Sequence, residues 1–280
     1  MITNEFQITR EQLAQFERDG FLVVRGLFNQ SETQSLIEHF MALHSKGVSG
    51  ELDGYQAPPM EESGGDILKH FPRMMHPHLW DETSMNYMLD ARFHTILKAL
   101  MQDEVLATQS MLYFKPPGAR GQALHQDNFY LKVAPGTCMA AWLSLDDADQ
   151  ENGGMFVVPG SHQAGVLCPH PADPAKSFTV EEVNVPEGMA PVPCDLKAGD
   201  VLFFNGSVIH GSYPNTSKER FRRAFICHYM PESSTEISQW YKLFDFNGNR
   251  VTRHESQWGG PCGTEDAALL KEAHEKMGAH

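Results

Sequence analysis

Apolar residues recur at helical spacing through residues 1–103 and at strand spacing through most of 104–232. Thr9 followed by Gln12 has the form of a capping box, and the helix it opens runs through Asp19 until Gly20 stops it. Phe21-Leu22-Val23-Val24 then reads as a strand. Ser31 with Gln34 starts a second helix whose apolar face carries Leu36, Ile37, Phe40 and Leu43. Residues 45–66 are rich in Gly, Pro and charge, so they form a loop able to serve as a lid. A third helix near 82–101 buries Met85, Met88, Leu89, Phe93, Ile96, Leu97 and Leu100.

After Asp103 short runs of branched and aromatic residues follow one another: Val105–Lys115, Phe129–Val133, Cys138–Asp146, Met155–Val158, Val201–Phe204 and Arg223–Met230. Turns containing Gly and Pro separate them, the pattern of a sandwich or jelly roll. Residues 168–195 carry six prolines and little periodicity, and are read as an excursion between strands. The pattern predicts a mainly β chain with flanking helices, folded as one domain over 1–280. Its parts are a helical N-terminal buttress (1–103), a jelly-roll core (104–232) and a C-terminal cover (233–280).

Composition narrows the function. The 280 residues carry a formal net charge of −14, which repels phosphate backbones and anionic membranes, so neither nucleic acid nor membrane is an expected partner. Cys138, Cys168, Cys194, Cys227 and Cys262 are odd in number, widely spaced and free of any CxxC. A disulfide framework or a zinc site is therefore not expected, and a reducing cytoplasm fits best. The N-terminus has no apolar signal core and no long apolar run follows, so a cytoplasmic monomer or homodimer acting on a small molecule is expected.

His125-Gln126-Asp127, answered by His210 and the basic run Arg220, Arg222, Arg223, carries the chemistry. An HxD motif alone is a chance-level event at this content of His and Asp. Its context raises it: the motif lies between the turn Pro116–Gly121 and the expected strand Phe129–Val133, where alternation turns His125 and Asp127 to one side and Gln126 to the other. His210 follows the apolar strand Val201–Phe204. Two histidines and a carboxylate can occupy one face of an octahedral iron and leave three positions open for a cosubstrate and O2. A downstream arginine can grip the far carboxylate of 2-oxoglutarate with paired hydrogen bonds. Zinc also accepts such a donor set, but no HExxH motif is present and a zinc site has no use for the arginine.

Together with Trp142, the block Asn152–His162, His210-Gly211-Ser212 and Phe221-Arg222-Arg223-Ala224, the HxD motif resembles the phytanoyl-CoA dioxygenase family, and FERDGFLVVRGLF (16–28) is similar to its N-terminal strand segment. The resemblance covers nearly the whole chain. It implies a double-stranded β-helix (jelly roll, cupin-like) with Fe(II) held by His125, Asp127 and His210. It further implies that Arg222 and Ser212 bind the distal carboxylate of 2-oxoglutarate, that Trp142 packs beside it, and that Met111 and Lys69 contact it. Arg220 and Arg223 are rivals for the Arg222 role. Halogenating relatives replace the carboxylate ligand with a small residue, so Asp127 implies hydroxylation or another C–H oxidation.

Gly153-Gly154 and Pro159-Gly160 are read as turn residues, His162 as a hydrogen-bonded turn residue, and Tyr113, Phe129 and Tyr130 as core or pocket lining. Gln126 and Asn205 are placed near substrate or cosubstrate. Trp240, Tyr241 and Trp258 either cover the mouth or seal the barrel. The expected activity is hydroxylation of an unactivated C–H bond of a small metabolite or biosynthetic intermediate, with succinate and CO2 released. An acyl-CoA substrate is an alternative, as is a phosphonate if Arg73, Arg120 or Lys132 points inward. Two other classes stay open: a cupin-like metal protein that does not use 2-oxoglutarate, and a non-catalytic jelly-roll binding module.

Overall fold

The computed structural model describes residues 6–50, 54–257, 259–262, 268 and 270–272. Two antiparallel sheets face each other. Edge to edge, the larger runs Phe21–Val24, Val201–Asn205, Met139–Ser144, Ala224–Pro231, Val105–Tyr113, Leu243–Phe244 and Arg250–Val251, with Met74–Met75 also paired to Val105–Tyr113. The smaller runs Gln122–His125, His210–Ser212, Met155–Val157 and Val192–Cys194. From Val105 to Pro231 the chain passes back and forth between the two sheets, which makes the fold a double-stranded β-helix, the jelly roll of cupin-like proteins.

Alternation decides which side chains the sheets enclose. Trp142 stands opposite Leu202 on one neighbour and Ile226 on the other, and all three enter the space between the sheets with Phe204, Met111, Met155 and Val157. The intervening residues Ala141, Leu143, Phe203, Phe225 and Tyr229 point the other way, into a layer of helices. The helix Gln30–Lys46 delivers Leu36 and Phe40 to that layer, and Ala91–Met101 delivers Phe93, Ile96, Leu97 and Leu100 at helical spacing. Each fully buried phenylalanine there contributes roughly 1.5–3 kcal/mol. This clamped outer face keeps the larger sheet fixed as a wall of the site.

The helix starting at Thr9 forms over Arg10–Asp19 with both capping-box bonds, and Gly20 closes it in a left-handed conformation (φ 80°). Other elements depart from the sequence pattern. Asn29 and Glu32, two residues upstream of Ser31 and Gln34, make the second capping box. The expected helix over 82–101 is two helices, Glu82–Met88 and Ala91–Met101, because Asp90 caps the second from its own extended backbone. Of the loop 45–66, residues 51–53 lie outside the described residues. The excursion 168–195 supplies the strand Val192–Cys194 to the smaller sheet and a short pair, His170–Pro171 with Glu181–Glu182.

Phe129–Val133 is not a strand: Asn128–Leu131 is a helical turn, closed by Asn128, whose side chain accepts from Val133 N and donates to Val133 O. Cys168 and Cys262 form a disulfide, which the cysteine spacing did not lead one to expect, while Cys138, Cys194 and Cys227 are free and buried. Their sequence separation of 94 hides that pairing from any spacing rule. Trp240 is exposed and Tyr241 packs with Leu131, Val133 and Cys138; Trp258 lies outside the described residues. No helix among the described residues is long and apolar enough to cross a membrane.

Candidate active site

His125 ends the strand Gln122–His125, and His210 begins the neighbouring strand directly opposite it. Their rings come within 4.1 Å, centroid to centroid. Each ring is turned by its own backbone: Nδ1 of His125 donates to Ala123 O at 2.9 Å and Nδ1 of His210 to Val208 O at 3.0 Å. Both protons are therefore on Nδ1, and both Nε2 atoms carry the lone pair, that of His125 accepting from Gln122 Nε2 at 3.1 Å. Asp127 enters from the helical turn, and its Oδ1 lies 3.6 Å from each Nε2. The three donor atoms fall within 4.8 Å of one another, all on buried residues.

The site's electrostatics favour metal binding over protonation. Burial lowers the pKa of His125 to about 3, with His210 adding to the effect, so its imidazole stays neutral as a ligand must. Burial alone would raise the Asp127 carboxyl, but His210, His228 and His125 outweigh it and hold the group below the ordinary carboxylate range. Oδ2, the other Asp127 oxygen, accepts a hydrogen bond of 2.9 Å from Nε2 of buried His228. The carboxylate is thus divided, one oxygen turned to the donor cluster and one fixed to the larger sheet.

Beside the cluster, Trp142, Met111, Phe204, Ile226, Ser212 and Arg222 line one cavity. Arg222 is 2% exposed; its Nε donates to Gly153 O at 3.0 Å, and its buried Nη1 has no partner. Burial pushes this guanidinium down to about 10, which leaves it charged at neutral pH. Its carbon Cζ lies 5.3 Å from the Trp142 ring centre. A buried cation with an unused donor is costly unless an anion comes to it. The neighbouring arginines are engaged elsewhere, Arg220 with Asp149 and Glu151, Arg223 with Asp146.

Lys69 does not reach this cavity. It is exposed on the four-residue helix Ile67–His70, which Asp66 caps, and Arg120 bonds that same Asp66. The lysine beside Ser212 is Lys115, 1% exposed. Gln126 is buried as a structural clamp, donating to Gly165 O and Ser207 O and accepting from Leu167 N. Asn205 caps a turn through Ser207 N, and His162 donates to Glu17 O. Tyr113 lines the cavity and accepts from Arg73 at 3.2 Å, whereas Arg120 is held by Asp66 and two carbonyls. Tyr130 lies 6.4 Å from the His125 ring and donates to Glu181, with Phe129 edge-on against it.

Two residues escaped the sequence reading. His228 follows Ala224 and Ile226 on the inward face of a strand, and a histidine on that otherwise apolar face was the available signal. Lys115 ends the apolar run from Val105, immediately before Pro116-Pro117, and a charge closing such a run was equally visible.

Residues 16–224 match the family model of phytanoyl-CoA dioxygenase. The chain belongs to the phytanoyl-CoA dioxygenase family. Among relatives, phytanoyl-CoA dioxygenase domain-containing protein 1 of Danio rerio is 33% identical, over 81% of this chain and 92% of that protein. Phytanoyl-CoA dioxygenase 1 of Oryza sativa subsp. japonica is 26% identical, over 84% and 92%. Similar solved structures include EctD from S. alaskensis with 2-oxoglutarate and 5-hydroxyectoine (TM-score 0.66, 21% identity, 94% of this chain and 90% of that one). The epimerase SnoN from nogalamycin biosynthesis is another (TM-score 0.63, 18% identity, 91% and 95%). At such identities these two bear on the fold alone, and it is the jelly roll. Family membership makes the chain an Fe(II)- and 2-oxoglutarate-dependent dioxygenase, with O2 as the further cosubstrate. The facing Nε2 and carboxylate donors and the unpaired guanidinium suit those groups.

Proposed function

We propose that this dioxygenase hydroxylates an unactivated C–H bond of a small free metabolite, with release of succinate and CO2. The observation that carries it is the pairing of a three-donor cluster with a buried, partnerless Arg222 Nη1 in one cavity. His125, Asp127 and His210 would hold Fe(II) on one face, with the ring orientations set by Ala123 and Val208 and the carboxylate set by His228. Arg222 and Ser212 would receive the distal carboxylate of 2-oxoglutarate. Trp142 and Met111 would pack along the cosubstrate, and Phe204 and Ile226 would keep water out. Bound iron would let O2 act as the oxidant, taking half of its electrons from 2-oxoglutarate as that is decarboxylated to succinate and half from the substrate C–H bond.

Asp127 favours hydroxylation because its carboxylate occupies a ligand position that halogenation needs open. A small substrate is favoured over an acyl-CoA by the acidic chain and the scattered basic residues. Among small molecules, one bearing a carboxylate or phosphonate is favoured by Arg73, a partly buried residue whose guanidinium bonds the cavity-lining Tyr113. The chain would act as a single catalytic unit, with its described residues after 232 as a cover.

The test is anaerobic titration with Fe(II) and 2-oxoglutarate, followed by the visible charge-transfer band of the chelated complex. The band is expected in wild type and lost in Arg222→Ala, while Asp127→Ala and His210→Ala lose turnover but keep the native circular dichroism. A metal-bound protein without the band would refute the cosubstrate assignment. Unfolding of the two ligand variants would make the metal structural.

A further inference from the structure

Lys115 is among the largest fully buried side chains of the protein, and its charged end lies behind the cavity rather than in it. Its Nζ donates to Ser212 Oγ at 2.7 Å and to Tyr213 O at 2.7 Å. Its backbone is tied to the arginine: Arg222 N donates to Lys115 O at 3.0 Å, and Asn215 Nδ2 donates to the same carbonyl. Gly153 closes the arrangement. Its carbonyl receives Arg222 Nε, and its lack of a side chain makes room for the lysine stem, since a Cβ there would lie 2.3 Å from Lys115 Cδ. A lysine amine and a guanidinium are therefore buried against one glycine, and among the described residues neither is in an ion pair. That is an unstable arrangement for a closed interior and a suitable one for a site completed by an anion.

The hydrogen-bond direction at Ser212 adds a second constraint. An ammonium only donates, so Ser212 Oγ must accept from it and its own proton must point elsewhere. Ser212 and Arg222 line the same cavity, so the freed hydroxyl proton can be given to a carboxylate oxygen held there. We infer that Lys115 is a positioning residue for the cosubstrate: it fixes the Ser212 hydroxyl as a donor and, with Arg222, presents a doubly cationic end to the distal carboxylate of a 2-oxo diacid. This rests on the proposed roles of Arg222 and Ser212. Burial and then repulsion from Arg222 hold the Lys115 pKa well below lysine's ordinary range, effects that an incoming carboxylate opposes.

The experiment compares wild type, Lys115→Met and Lys115→Gln, each loaded with Fe(II) under anaerobic conditions, with two probes. One is 2-oxoglutarate; the other is 2-oxopentanoate, which keeps the chelating end and lacks the distal carboxylate. Lys115→Met is expected to weaken 2-oxoglutarate binding by about tenfold or more, the loss of one charge-assisted contact. Binding of 2-oxopentanoate and of Fe(II) should be unchanged. Lys115→Gln, which can still donate to Ser212, should recover part of the loss. Adding Ser212→Ala to Lys115→Met should cost less than Ser212→Ala costs in wild type, because the two act through one bond.

Equal 2-oxoglutarate affinity in wild type and both lysine variants would overturn the inference. So would an equal loss for both probes, which marks a general packing defect. If Lys115→Met does not fold, Lys115→Gln decides by the same ratio of the two probes. Failure of wild type itself to bind 2-oxoglutarate would instead overturn the underlying cosubstrate reading.

Discussion

Replacing His228 with leucine isolates what the second carboxylate oxygen contributes to metal binding. Asp127 presents Oδ1 to the imidazoles of His125 and His210 and accepts at Oδ2 from His228 at 2.9 Å, inside a layer where the histidine is 2% exposed. A hydrogen bond to a buried charged group is worth roughly 1.5–3 kcal/mol, which is about 10- to 150-fold in affinity if the whole effect falls on the bound state. Outer-shell partners of ligands typically cost about 10- to 100-fold when removed, so the two estimates agree. Leucine leaves Oδ2 free to swing and lets the carboxylate rotate away from the geometry the imidazoles share. His228→Gln keeps a donor near the same place and is expected to fall between leucine and wild type. The assay is chelator competition for Fe(II), repeated with Mn(II), alongside the position of the charge-transfer band. An Fe(II) Kd within twofold of wild type, with an unmoved band, would refute the assignment and leave His228 as a core residue. A loss in which glutamine is no better than leucine would equally refute it, because the argument depends on the donor and not on ring volume.

Two further predictions follow from buried groups near this wall. Burial lowers His76 to about 4, with His228 contributing, and lowers His78 to about 3, with His76 and Arg250 contributing. A folded pKa below the unfolded value means that the unfolded chain takes up protons first as the pH falls. Metal-free stability should therefore be at its full value above about pH 6.5 and decline down to about pH 4 and just below, with urea midpoints tracking the loss and His78→Asn flattening the slope. A midpoint independent of pH over that interval would contradict the buried, neutral state of both rings. Gly153→Ala should weaken 2-oxoglutarate before it unfolds the protein: the new Cβ meets Lys115 Cδ at 2.3 Å and Tyr213 O at 2.9 Å, on a backbone at φ 88°. The left-handed conformation alone costs about 1–2 kcal/mol in a residue with a side chain. A variant with normal 2-oxoglutarate affinity would show that the loop can yield without disturbing Arg222.

The sequence pattern was most informative where one local rule decides the outcome. Trp142, Leu202 and Ile226 face inward because strands alternate, and their helix-facing neighbours Leu143, Phe203 and Phe225 follow from the same rule. The dioxygenase class and the jelly roll were equally legible, because the motifs are local even where their partners are distant. What failed were inferences that needed a competitor's energy. Phe129–Val133 has strand composition, yet the Asn128 side chain satisfies Val133 at both its N–H and C=O and holds the segment as a helical turn. The distribution of Asp127's two oxygens depends on that turn, so the period-2 argument brought Asp127 to the right side for a reason the structure does not share. Contacts such as Cys168 with Cys262 lie outside what spacing can rank.

Lys69 and Lys115 show the same limit in the site itself. The family resemblance implies a cosubstrate contact for Lys69. Asp66 instead caps the short helix that carries Lys69 into solvent. Lys115 had looked like the charged end of a strand, and the fold turns it inward because Pro116-Pro117 ends the strand while Gly153 leaves space for its stem. A buried lysine is tolerated only if its ammonium is answered by acceptors, and here two oxygens answer it beside an arginine whose buried Nη1 has no partner. On the proposed cosubstrate reading, this positive charge sits with Ser212 where the distal carboxylate would be held. A diacid chelating through its 2-oxo acid end would place its second carboxylate there, which makes the charge distribution itself a specificity element against 2-oxo acids that lack it.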